Sequence, residues 1–302
     1  MIMDALTDVL RLLRLRTNIF LHSSFCGVWA VDTSGQKKAT FHVVAHGDCW
    51  LHFASGETPI PLQAGDLLVL PRDKPHRISS LATPPGPDVP LNRPSANDGS
   101  IHSTGLICGY FEFESRAWNP IIEALPEAIV LRKAGDASSK SVDTLIRLMV
   151  DEAAQAQSGG DVMLDRLGDA LFILVVRTVM QRTSLDGGYL TALADRKLGL
   201  AFRAMHAEPF RPWTLGTLGR AAGMSRSAFA NRFHQKVGMT PLNYLTRWRM
   251  QLAREWLNDP SLAMIDIAER VGYASEASFS RAFKREFGLT PGTSRSLSRH
   301  KR

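Results

Sequence analysis

Three cysteines in 302 residues (Cys26, Cys49 and Cys108) are too few for a disulfide scaffold, so cysteine chemistry here would be reactive or metal-binding, not structural. No apolar run approaches the ~20 residues that span a bilayer. The longest, Ala170 to Met180, is interrupted by Arg177 and reads as a buried helix, so no membrane association is expected. The opening MIMDALTDVLRLLRLRTNIF lacks a continuous apolar core followed by a small-residue cleavage site, and its Leu and Val spacing predicts a short amphipathic helix in place of a signal peptide. These absences together point to a cytoplasmic protein. Acidic residues are also scarce where it matters. Residues 195–302 hold 8 Asp or Glu against 19 Lys or Arg, whereas residues 1–194 hold 21 against 17. A basic half joined to a mildly acidic one implies that one part meets a polyanion and the other does something else.

The length suits two domains. Residues from about 25 to 113 read as β structure: FHVVAHGDCWLHF carries short apolar runs, GDLLVLP is a buried strand between Gly65 and Pro71, and LICGYFEFE is another. Between the last two, residues 80–104 are rich in Pro, Ser, Asn and Gly and read as a long loop. Short strands with turn residues between them favour a barrel or sandwich. From Ser141 the period becomes helical. Val142, Leu145, Ile146, Met149 and Val150 mark one helix, and Leu164, Leu167, Leu171, Leu174 and Val175 a second. Their apolar faces suit either simple packing or a homodimer interface. The resulting expectation is an α+β chain of three parts: residues 1–135, residues 136–188 as a helical linker, and an all-α part over 189–302.

An internal repeat dominates the basic part. LGRAAGMSRSAFANRFHQKVGMTP (from Leu218) corresponds to IAERVGYASEASFSRAFKREFGLTP (from Ile267), with Phe229 and Phe279, Phe233 and Phe283, Gly238 and Gly288, and Pro241 and Pro291 all offset equally. Each copy has a short helix, a glycine turn (Gly223, Gly272), and a second helix opened by a serine cap, Ser225 or Ser275. The phenylalanines at i and i+4 share a buried face, leaving Ser227, Asn231 and His234 opposite in the first copy and Ala277, Arg281 and Lys284 in the second. One packed side and one polar side is what a helix in a major groove requires. Arg247, Arg249 and Arg254 on the helix between the copies carry charge suited to phosphate contact or to solvation.

The two copies, and IAERVGYASEASFSRAFKREFGLTP above all, resemble the DNA-binding domain of the AraC/XylS family of bacterial regulators. The resemblance implies seven helices and two recognition helices entering successive major-groove segments of double-stranded DNA. It implies base-facing roles for Ser227, Ala230, Asn231 and His234, and for Ala277, Ser280, Arg281 and Lys284, with Ser225, Arg226 and Arg285 meeting phosphate. Asn231 stands where the family often has arginine, and Asn suits an adenine edge where Arg suits guanine. RNA polymerase is the further partner implied.

GDLLVLPRDKPHRI resembles the second half of a cupin barrel motif, with Asp73 where cupins often have glycine. The paired histidines and glutamate of a metal-binding cupin are not evident in FHVVAHGDCWLHF, which favours a sensory cupin over an enzyme. The head MDALTDVLRLL, FHVV, PHRI and LICG resemble a cupin-bearing subgroup of the same family that includes activators responding to reactive chlorine species. That resemblance makes cysteine oxidation a candidate trigger, with Cys108 best matched and Cys26 its possible partner; the alternative is that Cys108 is a small buried hydrophobe. His42, His76 and Cys108 form a second candidate set, able to hold zinc if three strands bring them together. His22, His46 and His52 read as surface or turn residues. The overall expectation is a non-enzymatic DNA-binding regulator switched by cysteine oxidation, a metal or a small ligand, with a cupin enzyme carrying an accessory DNA-binding domain as the contrasting reading.

Overall fold

The computed structural model describes residues 4–93, 103–113, 118–133, 140–155, 157–182 and 188–299. The expected join at 135/136, the centre of the long loop and Lys301–Arg302 of the basic tail lie outside them. The chain forms two compact units. Among described residues, 15–113 and 121–182 make one, while 4–14, 118–120 and 188–299 make the other.

The head folds as α1 (Ala5–Leu13), capped by the Asp4 side chain accepting from Thr7 N–H. The helix stops at Arg14, which adopts the left-handed conformation (φ 44°), and a strand starts at once. The short amphipathic helix expected at the head is present as α1, and LRTNIFLHSSFC is β1 (Leu15–Cys26), so the strands begin ahead of the stretch from about residue 25 that the sequence predicts.

The strand-rich unit continues with β2 (Ala30–Val31), β3 (Ala39–His46), β4 (Asp48–Phe53), β5 (Ile60–Gln63), β6 (Leu67–Leu70), β7 (His76–Ser79), β8 (Ser103–Phe113), α2 (Pro120–Ala124) and β9 (Ile129–Leu131). Two antiparallel sheets result, ordered β1-β8-β3-β6-β9 and β2-β7-β4-β5. Their inner faces share one core: Phe25, Val44, Leu68, Leu70, Leu106 and Cys108 from the first, Val31, Cys49, Leu51, Phe53, Leu62 and Ile78 from the second. Two packed antiparallel sheets agree with the barrel or sandwich that the short apolar runs predict, and with the cupin-like α+β fold that the resemblance of GDLLVLPRDKPHRI implies. His52, expected at the surface, is buried on β4, its Nε2 3.0 Å from Ser79 Oγ and 3.1 Å from the Leu81 carbonyl.

Two helices, α3 (Lys140–Gln155) and α4 (Gly160–Arg182), complete this unit. Strand β1 is a sheet edge, and edge N–H groups need partners. Here α4 supplies them: Thr17 N–H donates to Asp169 at 2.7 Å and Ile19 N–H to Asp165 at 3.0 Å. The two carboxylates lie at i and i+4 on one helix face. The helix comes this close because Gly168 faces Thr17, where a Cβ would stand 2.3 Å from Thr17 Cγ2.

The helical unit comprises α5 (Tyr189–Ala194), α6 (Leu198–Ala207), α7 (Leu215–Ala221), α8 (Arg226–Val237), α9 (Pro241–Trp256), α10 (Met264–Arg270), α11 (Glu276–Phe287) and α12 (Pro291–Arg299). Seven of these run from Leu198 onward, with the short α5 ahead of them. The α1 helix belongs to this unit, burying Ala5, Val9 and Leu13 and setting Asp8 3.3 Å from His206 Nδ1 on α6. Arg14 pairs with Glu255 on α9. No helix among the described residues is long and apolar enough to cross a membrane.

Candidate nucleic-acid interface and sensor site

The interface is built on two equivalent helices. Ser225 caps α8 by accepting from Ala228 N–H, and Ser275 caps α11 by accepting from Ser278 N–H. Both helices end at a glycine in the left-handed conformation, Gly238 (φ 77°) and Gly288 (φ 75°), whose N–H closes the last turn. Thr240-Pro241 and Thr290-Pro291 then start the next helices, the threonine hydroxyls accepting from Asn243 and Thr293 N–H. Between the copies, α9 packs against α8, α10 and α11, and at 1.5 Å per residue it is a spacer of about 24 Å.

On α8, Phe229 and Phe233 are fully buried while Ser227, Asn231 and His234 are exposed and Ala230 is half-buried. On α11, Phe279 and Phe283 are fully buried, Ala277, Arg281 and Lys284 are exposed, and Ser280 is half-buried. Arg226, Arg285, Ser225 and Ser275 are exposed at or near the helix ends. Among the described residues, the side chains of Arg226, Asn231, Arg281 and Lys284 make no hydrogen bond or ion pair within the chain, so their polar heads are available to a partner. The arginines of α9 differ. Arg249 is committed to structure, donating to the carbonyls of Pro209 (2.6 Å) and Arg211 (2.8 Å), and Arg247 faces Glu286 at 3.5 Å. Arg249 is thus removed from the phosphate-contact set.

In the strand-rich unit, β3 and β8 are paired so that His42 lies directly opposite Cys108, and His42 Nδ1 is 3.0 Å from Cys108 Sγ. The other side of the same ring meets the second sheet, His42 Nε2 standing 2.9 Å from His76 Nε2. Thr33 Oγ1 is 3.3 Å from both Nε2 atoms, and His76 Nδ1 is 2.8 Å from the Lys74 carbonyl. All three groups are buried. Burial pushes His42 well below the ordinary imidazole value and His76 below it too, although Asp32 and Asp73 act in the opposite direction on His76. Burial also pushes the Cys108 thiol far up, and the Cys49 thiol up to about 12.

The strands do bring His42, His76 and Cys108 together, but not around one point. Cys108 lies on the Nδ1 side of His42 and His76 on the Nε2 side, and no group of three His, Cys, Asp or Glu among the described residues is arranged to hold a metal ion. Zinc shared by these three is not compatible with this geometry. The Cys26–Cys108 pairing is corrected as well. Cys26 pairs with Ser103 and Leu21 with Cys108, so the two thiols lie five ladder positions apart, about 16 Å along the strand. A disulfide needs Cα atoms within about 7 Å. The cysteine that shares the core with Cys108 is Cys49, which sequence reasoning passed over. Asp73, at the cupin glycine position, has φ 54°, and its Oδ2 accepts from Lys37 N–H at 2.5 Å. The backbone conformation that glycine serves is retained, carried by aspartate.

A cupin family matches residues 4–181, and a helix-turn-helix domain family matches residues 218–296. The chain is 33% identical to an AraC-like transcription regulator of Streptomyces lividans, over 96% of this chain and 97% of that protein. It is 29% identical to the RCS-specific HTH-type transcriptional activator RclR of Escherichia coli (strain K12), over 96% of each. Among solved structures, the DNA-binding domain of AdpA in complex with a target DNA is 27% identical over 36% of this chain and 96% of that one, with a TM-score of 0.34.

Proposed function

Because this chain belongs to the AraC-like family of DNA-binding transcription regulators, with a cupin domain ahead of its helix-turn-helix domain, we propose that α8 and α11 read the bases of its operator and that oxidation of Cys108 is the signal that changes its DNA affinity. The observation carrying the first part is the twofold pattern of a sealed phenylalanine pair beneath an uncommitted polar face. Ser227, Ala230, Asn231 and His234 address one major-groove segment, and Ala277, Ser280, Arg281 and Lys284 the next. Ser225, Arg226 and Arg285 hold the helices to phosphate, and the excess of basic residues over 195–302 supplies the salt-dependent share of affinity. Regulation then proceeds through RNA polymerase and through pairing of two chains, for which Leu145, Leu148, Ile173 and Leu174 of α3 and α4 offer an incompletely buried apolar face.

The second part rests on the contact of the Cys108 thiol with an imidazole, inside a domain whose relative RclR is named as RCS-specific. The experiment is genomic-fragment binding by the purified full chain, reduced and after hypochlorous acid. Selective binding that changes on oxidation, and no longer does in Cys108→Ser, is the expected result. Selective binding indifferent to oxidant in the wild type removes the thiol from the mechanism and moves the signal to a small ligand of the cupin domain.

A further inference from the structure

We infer that His42 and His76 form a directional relay that takes the Cys108 proton off the sulfur as it is oxidised and holds it on His76 until the departing hydroxide recovers it, an inference that rests on the thiol-sensing reading above. Its polarity follows from one carbonyl. The Lys74 oxygen can only accept, so His76 Nδ1, 2.8 Å away, bears a proton. In a neutral ring Nε2 of His76 is then bare. His42 Nε2, at 2.9 Å, must donate to it, which leaves His42 Nδ1 bare. That atom faces Cys108 Sγ at 3.0 Å, so the thiol donates. The Thr33 hydroxyl, 3.3 Å from each Nε2, lies beside this shorter bond and could accept from His42 or donate to His76 without reversing its sense. Every proton in the line points from the sulfur towards the Lys74 carbonyl.

The step is as follows. The sulfur lone pair attacks chlorine of hypochlorous acid, the S–Cl bond forms, and the Cl–O pair leaves on oxygen as hydroxide. In the same event the S–H proton passes to His42 Nδ1 and the His42 Nε2 proton passes to His76 Nε2. The cation therefore forms on His76, which burial disfavours less than His42 and where the Lys74 carbonyl, Asp32 and Asp73 partly offset that burial, and not beside Cys49 and the apolar core. The proton returns to neutralise hydroxide, giving water; hydrolysis of S–Cl then yields the sulfenic acid, chloride and a proton. Sulfur loses two electrons and chlorine gains them. A thiol this deeply buried has almost no thiolate to offer, so its reactivity depends on losing the proton as the new bond forms. The same burial restricts the reagent to small uncharged oxidants.

Two measurements test this on the full chain. In histidine-15N-labelled wild-type protein near neutral pH, NMR is expected to show His42 protonated on Nε2 and His76 on Nδ1. His76 protonated on Nε2, or either ring charged, overturns the relay without any variant. In quenched-flow reaction with hypochlorous acid, Cys108 oxidation is followed by peptide mass spectrometry with methionine oxidation as internal standard. His42→Gln and His76→Leu should slow it by about 10²-fold, the scale of general acid–base assistance. His76→Gln, whose side-chain carbonyl still accepts from His42 Nε2, should recover part of the rate. Equal rates in all four proteins overturn the proposal. DNA affinity is read on the same samples: relay-dependent oxidation that leaves it unchanged defeats thiol sensing but not the relay. Reversed tautomers with oxidant-responsive DNA binding defeat the relay but not the sensing.

Discussion

In both helix-turn-helix units the phenylalanine pair of the second helix is sealed from solvent with ring centroids 5.7 Å apart, each helix opens on a serine cap, and each closes on a left-handed glycine. Above that shared base the units diverge. The face of α8 offers Asn231 and His234, whereas α11 offers Arg281 and Lys284. Their surroundings diverge too. Phe233 packs against Phe202 and Tyr244, next to a buried histidine that reaches α1, whereas Phe283 sits in an apolar cluster with Met250, Leu257, Ile267 and Val271. Packing residues that must fit one another stayed alike, and residues that meet only a partner were free to change.

The strongest way to break this symmetry is to empty one core. Phe229→Ala and Phe279→Ala should each cost about 3–5 kcal/mol in urea unfolding. A much smaller loss at one of them would mean that its unit collapses around the gap. The glycine turns should separate the units next. Gly223 (φ 61°) has open space around an added Cβ, so Gly223→Ala should cost about 1 kcal/mol from backbone conformation alone. At Gly272 (φ 80°) a Cβ would lie 2.8 Å from the Phe210 carbonyl oxygen and 2.9 Å from Arg249 Nη2. Gly272→Ala should therefore cost about 3 kcal/mol, and equal losses at the two turns would contradict the close approach.

On the exposed faces, Arg281→Ala should relax base preference at one operator position at a cost of about 1–3 kcal/mol, while Arg285→Ala should weaken all sequences alike and lower the salt slope by about 1. Binding-site selection with each variant checks both; unchanged profiles and affinities would misplace α11. The smallest contrast is in pH. Burial holds His206 below its ordinary value near 6.5, with Asp8 partly opposing. The unfolded chain thus takes up that proton first, so the stability tied to neutral His206 is full above about pH 6.5 and is lost as pH falls through that range. Amide exchange at constant intrinsic rate should show α6 and α8 loosening between pH 7.5 and 5.5 while α11 holds.

How much of this was legible varies with how local its cause is. The repeat, its caps and its buried phenylalanines follow from spacing within one helix, and the sequence spells them out. The Cys108–His42 contact depends on strand register: residues 66 positions apart are opposite only because β3 and β8 pair as they do. Spacing could nominate both residues but not the order in which they touch. The first ten residues of β1 lie ahead of the expected β stretch because its alternation is broken by a bulge between Ile19 and Leu21, and because the partners of its edge N–H groups lie on α4, far along the chain. Asp73 looked like a departure from the cupin pattern, and only its positive φ shows that the required backbone conformation survived.

The place of α1 has a consequence for the order in which the protein is made. Asp8 emerges from the ribosome early, yet its partner His206 comes 198 residues later, and the Arg14–Glu255 pair spans 241 residues. Contacts of such separation close late and slowly. The DNA-binding unit cannot be finished until its first and last segments have met, with the whole sensor synthesised in between. A nascent chain that has only its cupin domain carries α1 without a partner, and a fragment starting at the recognition domain lacks the helix that covers it. Closure of the α1 contacts is thereby delayed until translation is nearly complete.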